Sequence, residues 1–179
     1  MKHVEITRQP LIEAERFVLR PVRRSDVGML SMYTADKRVA SGTRSIPHPL
    51  PPGTTEAFIE RSLHDHRNED VWVMDGAGAD GREVLGVISL THLDRAQSQL
   101  GYWVAPGFWN TGIASEAVQA IVAANPQENT SIFAEVFQDN AASARVLTHA
   151  GFEYIGDAES HCVARNANVP TWTYINKIS

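Results

Sequence analysis

Residues 108–118, FWNTGIASEAV, join an alternating apolar segment to a helical apolar run through a turn with almost no charge. The turn holds Asn110, Thr111 and Gly112, and the first acidic residue, Glu116, already belongs to the predicted helix. A helix N-terminus has unpaired main-chain N–H groups and a partial positive charge, so it binds anions. Gly112 lets a phosphate approach the backbone, and Asn110 tolerates a left-handed conformation. The pattern fits a phosphate-binding turn, and also an ordinary strand-to-helix turn with small residues.

Two common nucleotide-binding patterns are absent from this turn. No lysine follows Gly112, as the Walker A pattern would require, and the three-glycine pattern of dinucleotide-binding folds is missing. Nucleotide hydrolysis and nicotinamide-dependent chemistry are therefore disfavoured.

A carboxylate and an imidazole are the candidates for a general base. In SIFAEVF the alternation of a strand places Glu135 on the same face as Phe133 and Phe137. A carboxylate there is costly unless it faces a wet cleft or has a partner, so Glu135 is either a base in a cleft or a solvent-exposed surface residue. His92, just past a central strand, is the rival base and could equally be a plain loop residue.

These candidates need a scaffold, and the hydrophobic pattern supplies one. It predicts strands at residues 17–22, 71–74, 83–90, 99–105, 131–137, 152–156 and 171–178. It predicts a first helix over 24–36 with Ser25 or Asp26 as N-cap, and a second from Thr54 or Thr55, as its cap, through His66. A third helix is predicted from Gly112 to Asn125, and a fourth over 139–152 with Asp139 or Asn140 as N-cap and Gly151 at C′. Three consecutive strands in the middle argue against a purely parallel doubly wound sheet, so we expect a mixed α/β or α+β sheet with helices on its faces.

Composition narrows the function classes. The 179 residues fit one domain, and a hydrophobic content of 43% suffices for a core. The formal net charge of −5 and the lack of a basic cluster disfavour nucleic-acid binding. The single cysteine, Cys162, forms no disulfide within the chain and is expected to be inert, which favours the cytoplasm. The N-terminal segment is too polar for a signal peptide, and no apolar run approaches the ~20 residues of a membrane helix.

Two segments together resemble signatures of the GNAT (GCN5-related N-acetyltransferase) superfamily. WNTGIASEAV resembles its acyl-CoA-binding loop, Gln/Arg-x-x-Gly-x-Gly/Ala, with Gly112 and Ala114 at the last two fixed positions. Trp109 departs from the first position, but an aromatic residue there is similar to the branch of ribosomal-protein-alanine N-acetyltransferases. VFQDNAASARVLTHAGFEYIG, residues 136–156, resembles the family's Asn-x-x-Ser/Ala segment with its Gly-Phe exit, and RFVLRPVRRSD resembles its first strand and turn.

The resemblance implies one GNAT-like acetyltransferase domain over residues 1–179. Its fold would be a central, mixed, mostly antiparallel twisted sheet of six to seven strands. Helices would cover both faces, and the two central strands would splay apart so that the acyl chain lies between them.

The resemblance also implies direct transfer of an acetyl group from acetyl-CoA to a primary amine, without a metal. The acceptor would be a protein N-terminus; the alternatives are a small amine or antibiotic, or a non-catalytic acyl-CoA-binding domain. A homodimer is left open, and no membrane or nucleic-acid partner is expected. The implied coenzyme-binding residues are Val104, Trp109, Asn110, Thr111, Gly112, Ile113, Ala114 and Asn140, with the main chain near Val104 polarising the thioester carbonyl.

The resemblance assigns the remaining catalytic roles less completely. Glu135 stands five residues before Asn140, as the base does in some members. Leu147 occupies the position where many members have a tyrosine acid, and Ser143 matches a serine of the ribosomal-protein branch that could donate a hydrogen bond to the thiolate. Asn140 could cap its helix or bind the coenzyme, and the two roles compete for one side-chain oxygen.

Overall fold

The computed structural model describes residues 9–80 and 82–178. The strands are β1 (Ile12–Glu13), β2 (Val18–Pro21), β3 (Glu69–Gly76), β4 (Arg82–His92), β5 (Gln97–Val104), β6 (Ser131–Phe137), β7 (Glu153–Cys162) and β8 (Ala167–Lys177). The helices are α1 (Val27–Thr34), α2 (Lys37–Ala40), α3 (Thr54–Leu63), α4 (Ala77–Asp80), α5 (Ile113–Ala124) and α6 (Ala141–His149), with 3₁₀ turns at Arg24–Asp26 and Pro106–Phe108. Residues 1–8, which begin the segment predicted not to be a signal peptide, lie outside the described residues, and the single domain over 1–179 stays a prediction.

The strands form one sheet in the order β1-β2-β3-β4-β5-β6-β8-β7. All neighbouring pairs are antiparallel except β5 and β6, which run parallel. This confirms the mixed, mostly antiparallel sheet. The sheet has eight strands, one more than the pattern predicts, because β1 has only two residues and therefore leaves no alternation to detect.

The parallel pair β5–β6 separates halfway along its length. Pairing runs from Gln97↔Ser131 to Leu100↔Ala134 and then stops, although β5 continues to Val104 and β6 to Phe137. A gap therefore opens between the two central strands, as the resemblance implies.

The backbone of β5 directs main-chain N–H and C=O groups into this gap, where β6 does not pair with them. In an antiparallel pair, every second residue bonds the neighbouring strand. The bonds Leu93 N–H to Gln97 O (2.8 Å) and Ala105 N–H to Leu85 O (2.9 Å) show that the odd-numbered residues of β5 face β4. The main-chain N–H and C=O groups of the even-numbered Tyr102 and Val104 consequently point toward β6, which no longer pairs with them.

Helices cover both faces of the sheet, as predicted. On one face α5 and α6 pack over a core that includes Ile121, Ile132 and Leu147. On the other face α1 and α3 pack through Leu30 and Ile59. Even-numbered side chains of β5 and β6, such as Val104 and Ala134, belong to the first core, and Trp103 of β5 packs against the second. A ligand in the gap would therefore reach both sides of the sheet.

Several predicted helix ends differ from the observed ones. Gly53, at φ +85°, is the N-cap of α3; Thr54 instead donates its hydroxyl to Pro51 O (2.8 Å), and the predictions of Thr54 or Thr55 as cap are wrong. The helix ends at Leu63, so His66 lies beyond it. The first helix begins with a 3₁₀ turn, where buried Asp26 accepts from the Arg23 N–H (2.8 Å). Asp26, one of the two predicted caps, is the N-cap residue of α1, although its side chain makes no capping hydrogen bond to that helix.

The other ends follow the prediction. Asn140 caps α6, and Gly151 follows it at φ +92°. Buried Cys162 lies 3.1 Å from Thr43 O, to which its thiol donates. Among the helices of residues 9–80 and 82–178, none is long and apolar enough to cross a membrane.

Candidate active site

The turn before α5 presents a row of unpaired main-chain amides. Asn110 (φ +60°) and Gly112 (φ +82°) adopt the left-handed conformation, which turns the chain sharply into the helix. Gly112 is the N-cap and has no side chain to accept from the first turn. Within the described chain, the N–H groups of Gly112, Ile113 and Ala114 donate no hydrogen bond. The turn therefore has the anion-binding geometry that its sequence predicts.

Arg16 holds the turn in place through hydrogen bonds. The sequence patterns do not predict this contact. Arg16 Nη1 donates to Thr111 O (2.8 Å), and its Nε and main-chain N–H donate to the Glu116 carboxylate (2.8 and 3.0 Å). A Cβ built on Gly112 would lie 3.3 Å from Arg16 Nη2. Glycine is thus favoured here by its positive φ, and an alanine would also require the Arg16 side chain to shift by a few tenths of an ångström.

Trp109 ties the turn to β5. Its indole Nε1 donates to Val104 O (2.7 Å), while the Arg38 guanidinium lies 5.9 Å from the ring centroid. This contact occupies the carbonyl of Val104 but leaves its N–H directed into the gap. The tryptophan at this position, where the family pattern has Gln or Arg, therefore acts as an anchor of the turn.

A cleft of about 760 Å³ runs along this turn to the N-terminus of α6. It is lined by every residue predicted for the coenzyme: Val104, Trp109, Asn110, Thr111, Gly112, Ile113, Ala114 and Asn140. Ser143 also lines it. The structure thus brings together two segments that are about thirty residues apart in sequence.

Basic side chains that the sequence analysis missed also line the cleft. Arg38 pairs with Asp36 (2.7 Å), and Arg165 pairs with Asp139 (2.5 Å), which lowers the pKa of the Asp139 carboxyl. Arg145 lines the same cleft and makes no ion pair or hydrogen bond with the residues that the structure describes. The negative net charge of the whole chain hides this local basic lining, because its members come from three separate segments.

A second cavity of about 300 Å³ lies on the opposite face of the sheet, under α1, α3 and residues 42–50. Five residues line both cavities: Gly42, Tyr102, Trp103, Asn140 and Ser143. The two cavities therefore meet at the gap between β5 and β6.

Glu135 lines the smaller cavity as a largely buried carboxylate with three partners. Its Oε1 accepts from Ser160 Oγ (2.6 Å) and Thr171 Oγ1 (2.5 Å). Its Oε2 lies 3.6 Å from Arg44 Nη1, beyond hydrogen-bond distance. Oε2 is thus the carboxylate oxygen with capacity left to accept a hydrogen bond. The rival base, His92, is exposed at the end of β4 and lines neither cavity.

The start of α6 carries the other predicted groups. Asn140 Oδ1 accepts from the Ser143 N–H (3.1 Å), so the cap occupies the side-chain oxygen and leaves the amide nitrogen for a ligand. The Ser143 hydroxyl lies 2.5 Å from the Tyr102 hydroxyl. Leu147 is fully buried in the core. Burial raises the pKa of Tyr102 to about 12, against a smaller opposing effect of its hydrogen bond with Ser143.

The chain is similar to known acetyltransferases along most of its length. Residues 16–153 match the family model described as an acetyltransferase (GNAT) domain. The uncharacterized N-acetyltransferase YoaA of Bacillus subtilis is 26% identical over 156 residues, which cover 82% of this chain and 85% of that protein.

Solved acetyltransferase structures share the fold, among them the two that follow. A ribosomal L7/L12 α-N-protein acetyltransferase in complex with coenzyme A has a TM-score of 0.80 at 18% identity, over 94% of this chain and 98% of that one. The spermidine N-acetyltransferase of Vibrio cholerae, in complex with CoA and spermine, has a TM-score of 0.72 at 16% identity, over 88% of this chain and 94% of that one. These likenesses concern architecture, and the two proteins act on different kinds of amine.

Proposed function

The chain belongs to the GNAT acetyltransferase family, and we propose that it moves the acetyl group of acetyl-CoA directly onto the primary amine of an acceptor held in the smaller cavity. The observation that carries this proposal is the meeting of two cavities in the gap between β5 and β6. A thioester entering along the turn at Gly112 and an amine entering from the opposite face would reach each other there.

The coenzyme would be held mainly by backbone groups. Unpaired amides from Gly112 to Ala114 would bind the pyrophosphate, and Arg145 would neutralise a further phosphate charge. The main-chain N–H and C=O groups of Tyr102 that point into the gap would pair with the pantetheine amides, as an added strand would. Asn140 would contribute its side-chain nitrogen.

The reaction needs a donor for the oxyanion, a base for the ammonium and a donor for the thiolate. The Val104 N–H is the candidate for the oxyanion, because it points into the gap without a strand partner. Glu135 Oε2 is the candidate base, directly or through one water, since Oε1 is already engaged by two hydroxyls. Ser143 is the candidate donor to the leaving thiolate.

The acceptor cavity favours an amine with one positive charge. Two carboxylates, Glu69 and Glu135, and two guanidiniums, Arg44 and Arg61, line it, so these side chains sum to no net charge. A polyamine would gain little net attraction there, whereas a single ammonium can approach Glu135 at the gap. A protein N-terminus fits this description, because its other groups near the amine are neutral peptide units. A small monoamine or an antibiotic is the alternative acceptor.

Calorimetry with acetyl-CoA tests the first requirement of the proposal, which is that the chain binds the coenzyme. We expect saturable binding, and no detectable binding at millimolar ligand would refute it. A panel of N-terminal peptides, small monoamines and polyamines, assayed by thiol release, then identifies the acceptor class. Turnover with peptides and little with spermidine is expected; efficient turnover of spermidine would overturn the charge argument. Binding without turnover across the panel would instead favour a non-catalytic acyl-CoA-binding domain.

A further inference from the structure

Tyr102, which the sequence analysis does not single out, lies where the two cavities meet. Its side chain extends from the splayed half of β5 toward the first turn of α6. The Tyr102 hydroxyl lies 2.5 Å from Ser143 Oγ and 3.3 Å from the main-chain oxygen of Ser143. The tyrosine thus reaches the serine across the gap through which the thioester would pass.

The direction of this hydrogen bond decides what Ser143 can do. When Ser143 donates to Tyr102, the tyrosine hydrogen has only the Ser143 carbonyl as acceptor, over a long 3.3 Å contact. When Tyr102 donates to Ser143 Oγ, the serine hydrogen is free to point into the cleft. A negative charge beside Ser143 favours the second arrangement, because the serine hydrogen then points to the charge while the tyrosine hydrogen keeps a short bond to Ser143 Oγ.

The surroundings suit an anion at this point. Ser143 lies in the first turn of α6, whose helix dipole stabilises negative charge. The cap by Asn140 fixes the Ser143 backbone, and Leu147, one turn later, has no hydroxyl to offer. Because burial raises the pKa of Tyr102, its phenol stays protonated through the neutral range and remains a donor.

We infer that Tyr102 is a positioning residue that turns the Ser143 hydroxyl hydrogen toward the coenzyme sulfur, where the hydrogen bond stabilises the departing thiolate. This inference rests on the proposed acetyl transfer. In that step the neutral amine, whose ammonium proton Glu135 has accepted and passed to solvent, bonds the acetyl carbon through nitrogen. The C–S bond breaks, its electron pair stays on sulfur, and the nitrogen loses its second proton to Glu135. The thiolate takes its proton from solvent once it has left.

Titration of the bound CoA thiol tests the inference without turnover. The wild-type complex is titrated with pH, and ultraviolet absorbance of the thiolate reports the pKa of the CoA thiol, for which free CoA titrated in the same way is the reference. We expect a lower pKa in the wild-type complex. Tyr102→Phe and Ser143→Ala should each raise it by about one pH unit, a tenfold loss of acidity, and the double variant should raise it no further.

Tyr154→Phe is the matched control, because this tyrosine is exposed on β7 and donates to Asp157 (2.6 Å), lining neither cavity. It should titrate as the wild type does. In turnover, Tyr102→Phe should lower kcat about tenfold and leave the KM of the amine unchanged.

Two failures are distinguishable. If Tyr102→Phe binds CoA and its thiol titrates as in the wild type, the inference is wrong, while turnover by the wild type would leave the acetyltransferase proposal standing. If the wild type binds no CoA, both the inference about Tyr102 and the acetyltransferase proposal are wrong. Should Tyr102→Phe not fold, Ser143→Ala with an unchanged thiol pKa overturns the inference alone.

Discussion

Replacing Gly112 with alanine tests whether the turn before α5 holds the coenzyme. Gly112 is at φ +82°, where an L residue costs about 1–2 kcal/mol, and the new Cβ would lie 3.3 Å from Arg16 Nη2. Gly53 offers a matched control. It is also a helix N-cap, at φ +85°, but nothing lies within 4 Å of its Cβ position and it lines neither cavity.

Both variants should lose similar stability and differ in coenzyme affinity. The midpoint temperature of thermal unfolding should fall by roughly 2–8 °C in each variant, because an L residue is strained in the left-handed conformation. In Gly112→Ala the displaced turn misdirects the amides. Loss of one hydrogen bond to a charged phosphate, about 1.5–3 kcal/mol, weakens acetyl-CoA binding by about 10- to 100-fold. Gly53→Ala should bind acetyl-CoA as the wild type does.

Calorimetric affinity and denaturation measured on the same preparations separate these effects. If Gly112→Ala binds acetyl-CoA as tightly as Gly53→Ala at equal loss of stability, the amides of this turn do not hold the coenzyme. The double variant Arg16→Ala/Gly112→Ala adds a finer test. Non-additive affinity changes would show that the new Cβ acts through Arg16, and additive ones that it acts through the backbone alone.

Three further predictions concern the site and its pH response. Glu135→Gln should lower kcat by about 10²–10⁴-fold with unchanged calorimetric acetyl-CoA affinity, whereas exposed Glu60→Gln should keep full turnover; normal turnover in Glu135→Gln removes the base assignment. Arg145→Ala should weaken acetyl-CoA binding about tenfold at low salt and less at high salt, and Arg24→Ala should not; a salt-independent loss would contradict a charge effect. Burial raises the pKa of Tyr102 from 10.0 to about 12, so its contribution to the free energy of unfolding is complete below pH 10 and is lost as pH rises toward 12. The free energy of unfolding in urea should therefore fall less steeply with rising alkaline pH in Tyr102→Phe than in the wild type. Equal slopes for the two proteins would refute this.

Much of the scaffold was predictable from short stretches of sequence. Seven of the eight strands and the helix ends at Asn125 and Gly151 follow from hydrophobic period and from residues that tolerate positive φ. The unpaired amides at Gly112 follow in the same way, because a helix start is fixed by residues within a few positions. The cap of α3 was misassigned because glycine and threonine are adjacent there and both are suitable cap residues.

The partners of the functional side chains were not predictable in this way. Arg16 fastens a turn about a hundred positions away, and the hydroxyls that bind Glu135 come from β7 and β8. In the sequence Tyr102 has no feature that distinguishes it from other strand residues. Its role follows from the separation of β5 from β6, which places its hydroxyl next to that of Ser143.

The sequence by itself determined where most strands and helices begin and end, and which amides at the start of α5 stay unpaired, because these depend on neighbours one to four positions apart. Only the tertiary structure decided that the two cavities meet, that Trp109 takes the Val104 carbonyl, and that Arg145 faces the cleft. These features depend on how whole strands and helices pack, and the packing brings together side chains whose separation along the chain carries no local signal.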